Sequence, residues 1–339
     1  MIEEFFAGSY AGEDEEGIVR FAIDLESGKL SKRGSYRGIQ NPSYLLANWE
    51  RRILYAVEER TPKGFLHVLT IGKDGLSPVR KLSTQGADPC HLELSEDKTI
   101  LIAANYTSGS LVVYLLDADG IPQGDGVLIE HHGKGKDPVR QDGPHVHFNK
   151  AKDGIVYTVD LGLDQIFLYQ IDAEKKTLTD TGKRIQFPAG SGPRHLVFSE
   201  QNSDEMYAVC ELSNEVTRIK REKGSWEITQ ILPALPENFK GTNTAAAIRA
   251  SGDDILISNR GYDGLTSFLR MPDGNLKKIQ SICLKGRVPR DFGIFGNWIV
   301  TADQGSDEIE VLKLDRKTGI MQETGMRETM IRPTCICQI

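Results

Sequence analysis

Short runs rich in Val, Ile, Leu, Tyr and Phe alternate along the whole chain with turn-forming pairs such as Asp74-Gly75, Asp119-Gly120, Asp153-Gly154 and Asp273-Gly274. Runs of this kind read as β-strands, and Asp-Gly between two of them reads as a hairpin turn. The pattern also repeats. NPSYLLANWERRILYAVEE, DPCHLELSEDKTILIAANYTSGSLVVYLL, GPHVHFNKAKDGIVYTVDLGLDQIFLYQI, GPRHLVFSEQNSDEMYAVCELSNEVTRIKR, NTAAAIRASGDDILISNRGYDGLTSFLR and VPRDFGIFGNWIVTADQGSDEIEVLKLD align on Pro42, Pro89, Pro144, Pro193, Thr244 and Pro289. A seventh anchor, Pro333, opens RPTCICQI.

Successive anchors are 47, 55, 49, 51, 45 and 44 residues apart, the length of a four-stranded propeller blade. Only six residues follow Pro333, enough for one strand, while the 41 before Pro42 offer three more: EEFFAG, GIVRFAID and LSKRGSYR. The sequence therefore predicts an all-β, seven-bladed β-propeller with four antiparallel strands per blade. Residues 1–339 form a single domain whose ring closes where the C-terminal strand joins the N-terminal ones. A two-sheet sandwich would give no reason for the repeat.

This frame sorts the polar residues. In a four-stranded meander the start of the first strand and the end of the second share one face. Just after the anchors stand Cys90 and His91, His145 and His147, Arg194 and His195, then Arg290 and Asp291. At the ends of the second strands stand Asn105, Asp160, Glu211, Asn259 with Arg260, and Asp303 with Gln304. A purely structural repeat would place similar residues in every blade, whereas these differ and are rich in titratable groups. Asp160, Asn105 and Asp303 also suit turn stabilisation through their short polar side chains. Glu211 could serve only as a salt-bridge partner, and His91 and His195 could simply bond loop carbonyls. His145 and His147 share a face if their strand is regular.

Charge narrows the ligand. The formal net charge is -7, which argues against a nucleic-acid partner. No apolar run approaches the length of a membrane span, and the N-terminus lacks a basic leader with an apolar core, so a cytoplasmic protein is the expectation. The five scattered cysteines fit a reducing compartment; Cys335 and Cys337 read as packing residues on one strand face. Arginines and histidines gathered at one end of an acidic chain favour a small anionic ligand, and the forked donors of Arg194 and Arg260 suit a carboxylate or phosphate. His131 and His132 alternate faces and read as solvated surface. The loop Gly133 to Gly143 has the Gly and Lys content of a phosphate cradle without a P-loop's ending, and could act as a lid.

At GPHVH, GPRH, CELSN, NTAAAI and SNRGYD the chain resembles the seven-bladed propeller lactonase family typified by bacterial 6-phosphogluconolactonase, to which a fungal carboxy-muconate cyclase is related. The resemblance covers essentially the whole chain. It implies hydrolysis of a sugar lactone, most specifically 6-phospho-D-glucono-1,5-lactone in the pentose phosphate pathway, with no cofactor. A metal-dependent propeller lactonase is disfavoured because cations and histidines crowd the candidate site, so no metal is expected. It implies catalytic roles for His145, Arg194, Glu211 and Arg260. On this reading His145 is the general base with Glu211 orienting it or standing in for it, Arg194 stabilises the oxyanion, and Arg260 and Arg290 hold the anionic group. His91, His147 and His195 complete the expected substrate-binding set. The alternatives are a muconate-type cyclase and a non-catalytic protein-binding scaffold. A serine or cysteine nucleophile is disfavoured, because no G-x-S-x-G elbow occurs and Cys90 lacks a third partner.

Overall fold

A computed structural model describes Met1 to Ile339 except residues 173, 175 and 176. The described residues form seven four-stranded antiparallel sheets and no helix, so the fold is the seven-bladed all-β propeller that the repeat predicts. No helix is long and apolar enough to cross a membrane. Blades 1 to 6 span residues 45–83, 89–130, 146–186, 193–233, 244–283 and 289–329. Blade 7 joins Pro333–Gln338 to Ile2–Ser9, Ile18–Asp24 and Leu30–Tyr36, the four strands expected from the two chain ends. Its terminal pairing sets Cys335 opposite Gly8 and Cys337 opposite Phe6, with both thiols buried.

The chain packs as two compact units: Met1–Ser9, Val19–Gly34 and Arg194–Gln338 in one, Tyr10–Ile18, Ser35–Pro193 and Ile339 in the other. In each, the core lies between successive sheets. In the first unit, Phe5, Phe21 and Ile23 of blade 7 pack with Phe295, Val300 and Val311 of blade 6. In the second, Tyr55, Val57 and Val68 of blade 1 meet Leu92, Leu101 and Tyr114 of blade 2. Burying each such side chain is worth about 2 kcal/mol, and neither sheet could do it alone.

Local sequence explains the turns. Asp153 and Gly154 both have positive φ, 52° and 72°, as a type I′ hairpin requires. The anchors Pro89, Pro193, Thr244, Pro289 and Pro333 each begin a strand. Close behind the anchors, strict alternation fails. Register breaks fall between Pro89 and His91, Val146 and Phe148, Ala245 and Ile248, and Pro289 and Asp291. An extra residue at such a bulge is turned away from the regular ladder, and bulges often re-aim side chains beside active sites. Cys90, His147 and Arg290 occupy these positions.

Candidate functional site

In the first unit, Arg194 follows the anchor Pro193, Glu211 follows the strand Glu205–Cys210, and Arg260 ends the strand Asp254–Arg260. The meander brings the three together. One carboxylate oxygen, Glu211 Oε2, pairs with two guanidinium groups: it lies 2.9 Å from Arg194 Nε and accepts a hydrogen bond from Arg260 Nη2 at 2.8 Å. Arg194 and Glu211 are 2% and 4% exposed, so the charges interact with little solvent screening. Arg194 Nη1 also donates to the Ala246 carbonyl at 2.8 Å and to His195 Nε2 at 3.0 Å. Because a guanidinium can only donate, His195 accepts through Nε2. Arg260 is braced by the carbonyls of Thr244 and Ala245, each at 3.3 Å. The salt-bridge role weighed for Glu211 is thus real, and it links two arginines rather than one. The cluster carries a net positive charge: two guanidinium groups on one carboxylate.

The three motifs of this unit are tied by asparagines. Asn243 Nδ2, in the loop before NTAAAI's strand, donates to Asn214 Oδ1 of CELSN at 2.6 Å and to Asn259 Oδ1 of SNRGYD at 3.2 Å. Asn214 Oδ1 also accepts the Ala245 N–H at 2.9 Å, and Asn243 Oδ1 the Tyr262 N–H at 2.9 Å. These bonds fix the backbone whose carbonyls hold Arg260. Arg290 is half-buried at its bulge.

In the second unit, His145 lies just before the strand Val146–Lys152. Its ring stacks on Tyr106 with centroids 4.5 Å apart and planes 13° from parallel. Nδ1 is 3.1 Å from the Tyr106 carbonyl, which can only accept, so Nδ1 carries a proton. Nε2 is then the atom left to take up or release one, and it stands 3.4 Å from Asp142 Oδ1. Asp160 Oδ1 accepts the His145 backbone N–H at 2.9 Å and that of Leu163 at 3.0 Å, the turn-stabilising role expected of it. His147 is buried, with its ring edge-on to Tyr106. His145 and His147 therefore meet the same aromatic ring, although the bulge removes the regular alternation that would have set them on one face.

Other expectations resolve differently. His91 is 1% exposed, its ring lies between Tyr44 and Phe148, and its Nδ1 accepts the Asn149 N–H at 3.3 Å. These are the surroundings of a packing histidine. His131 is not solvated surface: its Nδ1 lies 2.6 Å from Asp160 Oδ2, its Nε2 lies 2.9 Å from Tyr169 Oη, and its ring stacks on Phe167. His131 follows the end of the strand Pro122–Glu130 and is buried against the next blade, while His132 is exposed. Asn105 donates to Ser110 Oγ across its own turn and to the Thr84 carbonyl, whereas Asp303 accepts from Thr301 on its own strand.

The loop Gly133 to Gly143 is ordered around buried Gln141. The amide oxygen of Gln141 accepts the N–H groups of Lys136 and Asp137, and its Nε2 donates to the Leu161 carbonyl and Asp164. Those N–H groups are thus committed, which removes the phosphate-cradle reading. The loop instead delivers Arg140, whose Nη2 is 3.3 Å from Tyr106 Oη, and Asp142. Tyr106 was missed in the sequence although it directly follows Asn105; the signal was its place one residue past the end of a second strand.

A family model described as "Lactonase, 7-bladed beta-propeller" matches residues 4–338. The chain belongs to this family of lactonases, and is thereby an enzyme of the carboxylic ester hydrolase type. Among its relatives, a protein of Bacillus subtilis (strain 168) named 6-phosphogluconolactonase is 28% identical over 98% of this chain and 97% of that protein. An uncharacterised protein of Lactococcus lactis subsp. lactis (strain IL1403) is 31% identical over 95% of both. The solved structure of a Pseudomonas aeruginosa periplasmic gluconolactonase superposes with a TM-score of 0.92 at 27% identity, covering 100% of this chain and 99% of that one.

Proposed function

We propose that this chain hydrolyses an anionic sugar lactone, 6-phospho-D-glucono-1,5-lactone before others, to the open-chain acid. The observation that carries the reading is the pair of guanidinium groups, buried Arg194 and partly buried Arg260, held on the single oxygen Glu211 Oε2. The name of the Bacillus relative supports the same substrate class.

Ring opening adds water across the ester: the water oxygen bonds to the carbonyl carbon, negative charge develops on the carbonyl oxygen, and the ring oxygen leaves with a proton. Preorganised donors in a water-poor site stabilise that charge by about 3 kcal/mol each. Arg194 is fixed by three partners before substrate arrives and suits the oxyanion. Arg260 suits the substrate's anionic group. Glu211 is a positioning residue for both, since its carboxylate is already engaged by them. His145 Nε2 is assigned the proton transfer, because Nδ1 is held as a donor by the Tyr106 carbonyl and fixes the tautomer. No step moves electrons between redox states, so the proposal needs no redox cofactor.

Stopped-flow proton release on freshly prepared 6-phosphogluconolactone, beside unphosphorylated gluconolactone, tests this. Acceleration of the first over the second is expected. Rates equal to spontaneous hydrolysis on both would reject the assignment.

A further inference from the structure

The second hairpin of blade 6 carries three carboxylates on one face. Across it Asp303 pairs with Glu308 and Thr301 with Glu310. Residues opposite one another, and residues two apart along a strand, point to the same side. Oxygens of Asp303, Glu308 and Glu310 accordingly all lie within 4.8 Å of one another. Asp303 and Glu310 are fully buried, where like charges this close repel strongly unless something compensates them.

The protein compensates them only partly. Thr301 Oγ1 donates to Asp303 Oδ2 at 2.9 Å, and the Gly286 N–H donates to Glu310 Oε2 at 3.1 Å. Arg327 faces the cluster from the neighbouring strand, but its nitrogens stay 3.6 Å from Glu308 and 3.9 Å from Glu310. Asp303 Oδ1 and Glu310 Oε1 are buried with no hydrogen-bond partner among the described residues. Buried carboxylate oxygens are rarely left without a donor or a metal, because the lost hydration is costly. The loop at Gly286 comes close enough that a Cβ there would stand 2.2 Å from Asp303 Oδ2, so only glycine lets the backbone approach this cluster.

We infer that Asp303, Glu308 and Glu310 form a binding site for a hard divalent cation, calcium foremost, which neutralises the cluster and ties the hairpin of blade 6 together. The donors are all oxygens, the ligand type calcium takes. Calcium accepts a set of several protein oxygens, whereas magnesium usually keeps several of its waters and takes only one or two carboxylates. The site shares no residue with the Arg194–Glu211–Arg260 cluster and departs from the expectation of a chain without metal. Its role is structural, and the lactonase reading neither requires it nor falls with it.

The test uses the full chain, stripped with a chelator and dialysed. Isothermal titration with calcium chloride should show one ion per chain. Thermal unfolding should shift upward by about 4 °C at a hundredfold excess over Kd, with magnesium chloride weaker. Asp303→Asn should abolish the response. Glu308→Gln, at the partly exposed rim and therefore safer for folding, should weaken calcium binding at least about tenfold. Absence of both heat and shift at millimolar calcium and magnesium would overturn the inference, as would an equal calcium response in the wild type and Glu308→Gln.

Discussion

Replacing Glu211 with Gln keeps the side chain's size and one accepting oxygen but removes the charge that holds Arg194 and Arg260. The two guanidinium groups now share Glu211 Oε2 at 2.9 and 2.8 Å, so after the change they face each other with no anion between them. Breaking a buried ion pair by removing one partner costs about 3 kcal/mol, chiefly from the uncompensated charge left behind. Unfolding entropy of about 2.1 cal/mol/K per residue turns that into a fall of about 4 °C in the apparent midpoint for a chain of 339 residues. The variant also acquires an anion-seeking pair. Inorganic phosphate should therefore raise the midpoint of Glu211→Gln more than that of the wild type, and high sodium chloride should blunt the difference. Differential scanning calorimetry with and without phosphate measures both effects. If Glu211→Gln melts within a degree of the wild type, and phosphate shifts the two equally, the carboxylate does not hold the arginines as described.

Three further outcomes follow from the same geometry. Arg194→Lys keeps the charge but cannot bond Glu211, His195 and the Ala246 carbonyl at once, so kcat/KM for the preferred lactone should fall about 100-fold with the fold retained by circular dichroism. Gly162→Ala would set a Cβ 2.0 Å from the Gly143 carbonyl oxygen and 2.8 Å from the His145 nitrogen. It should cost about 2 kcal/mol in urea unfolding and reduce turnover by moving His145. Burial opposes ionisation of Glu58, but hydrogen bonds from Arg60, Lys81 and His67 outweigh it and hold the carboxyl at about 2. A carboxyl lowered in the folded state stabilises above its unfolded value near 4.5 and loses that contribution as pH falls towards 2. Half-exposed Arg60 and Lys81 are screened by solvent, so Glu58→Gln should remove about 2 kcal/mol at pH 7 and almost nothing at pH 2, read from unfolding at the two pH values.

The sequence by itself determined the features that depend on neighbours along the chain. Alternating apolar runs, Asp-Gly turns and the spacing of Pro42 to Pro333 set the strands, the blade count and the joining of the two chain ends in blade 7, because these follow from local backbone preference and a repeat of fixed length. Position in that repeat also singled out Arg194, Glu211 and Arg260. Only the tertiary structure decided what each side chain meets. It put both arginines on one oxygen of Glu211, buried His91 between two rings and His131 beside Asp160, and gave His145 a stacking partner in Tyr106. It likewise left Asp303 and Glu310 facing each other without enough donors. The bulges behind the anchors shift side chains off strict alternation, and contacts between residues tens of positions apart follow from how one sheet packs on the next, which no local pattern encodes.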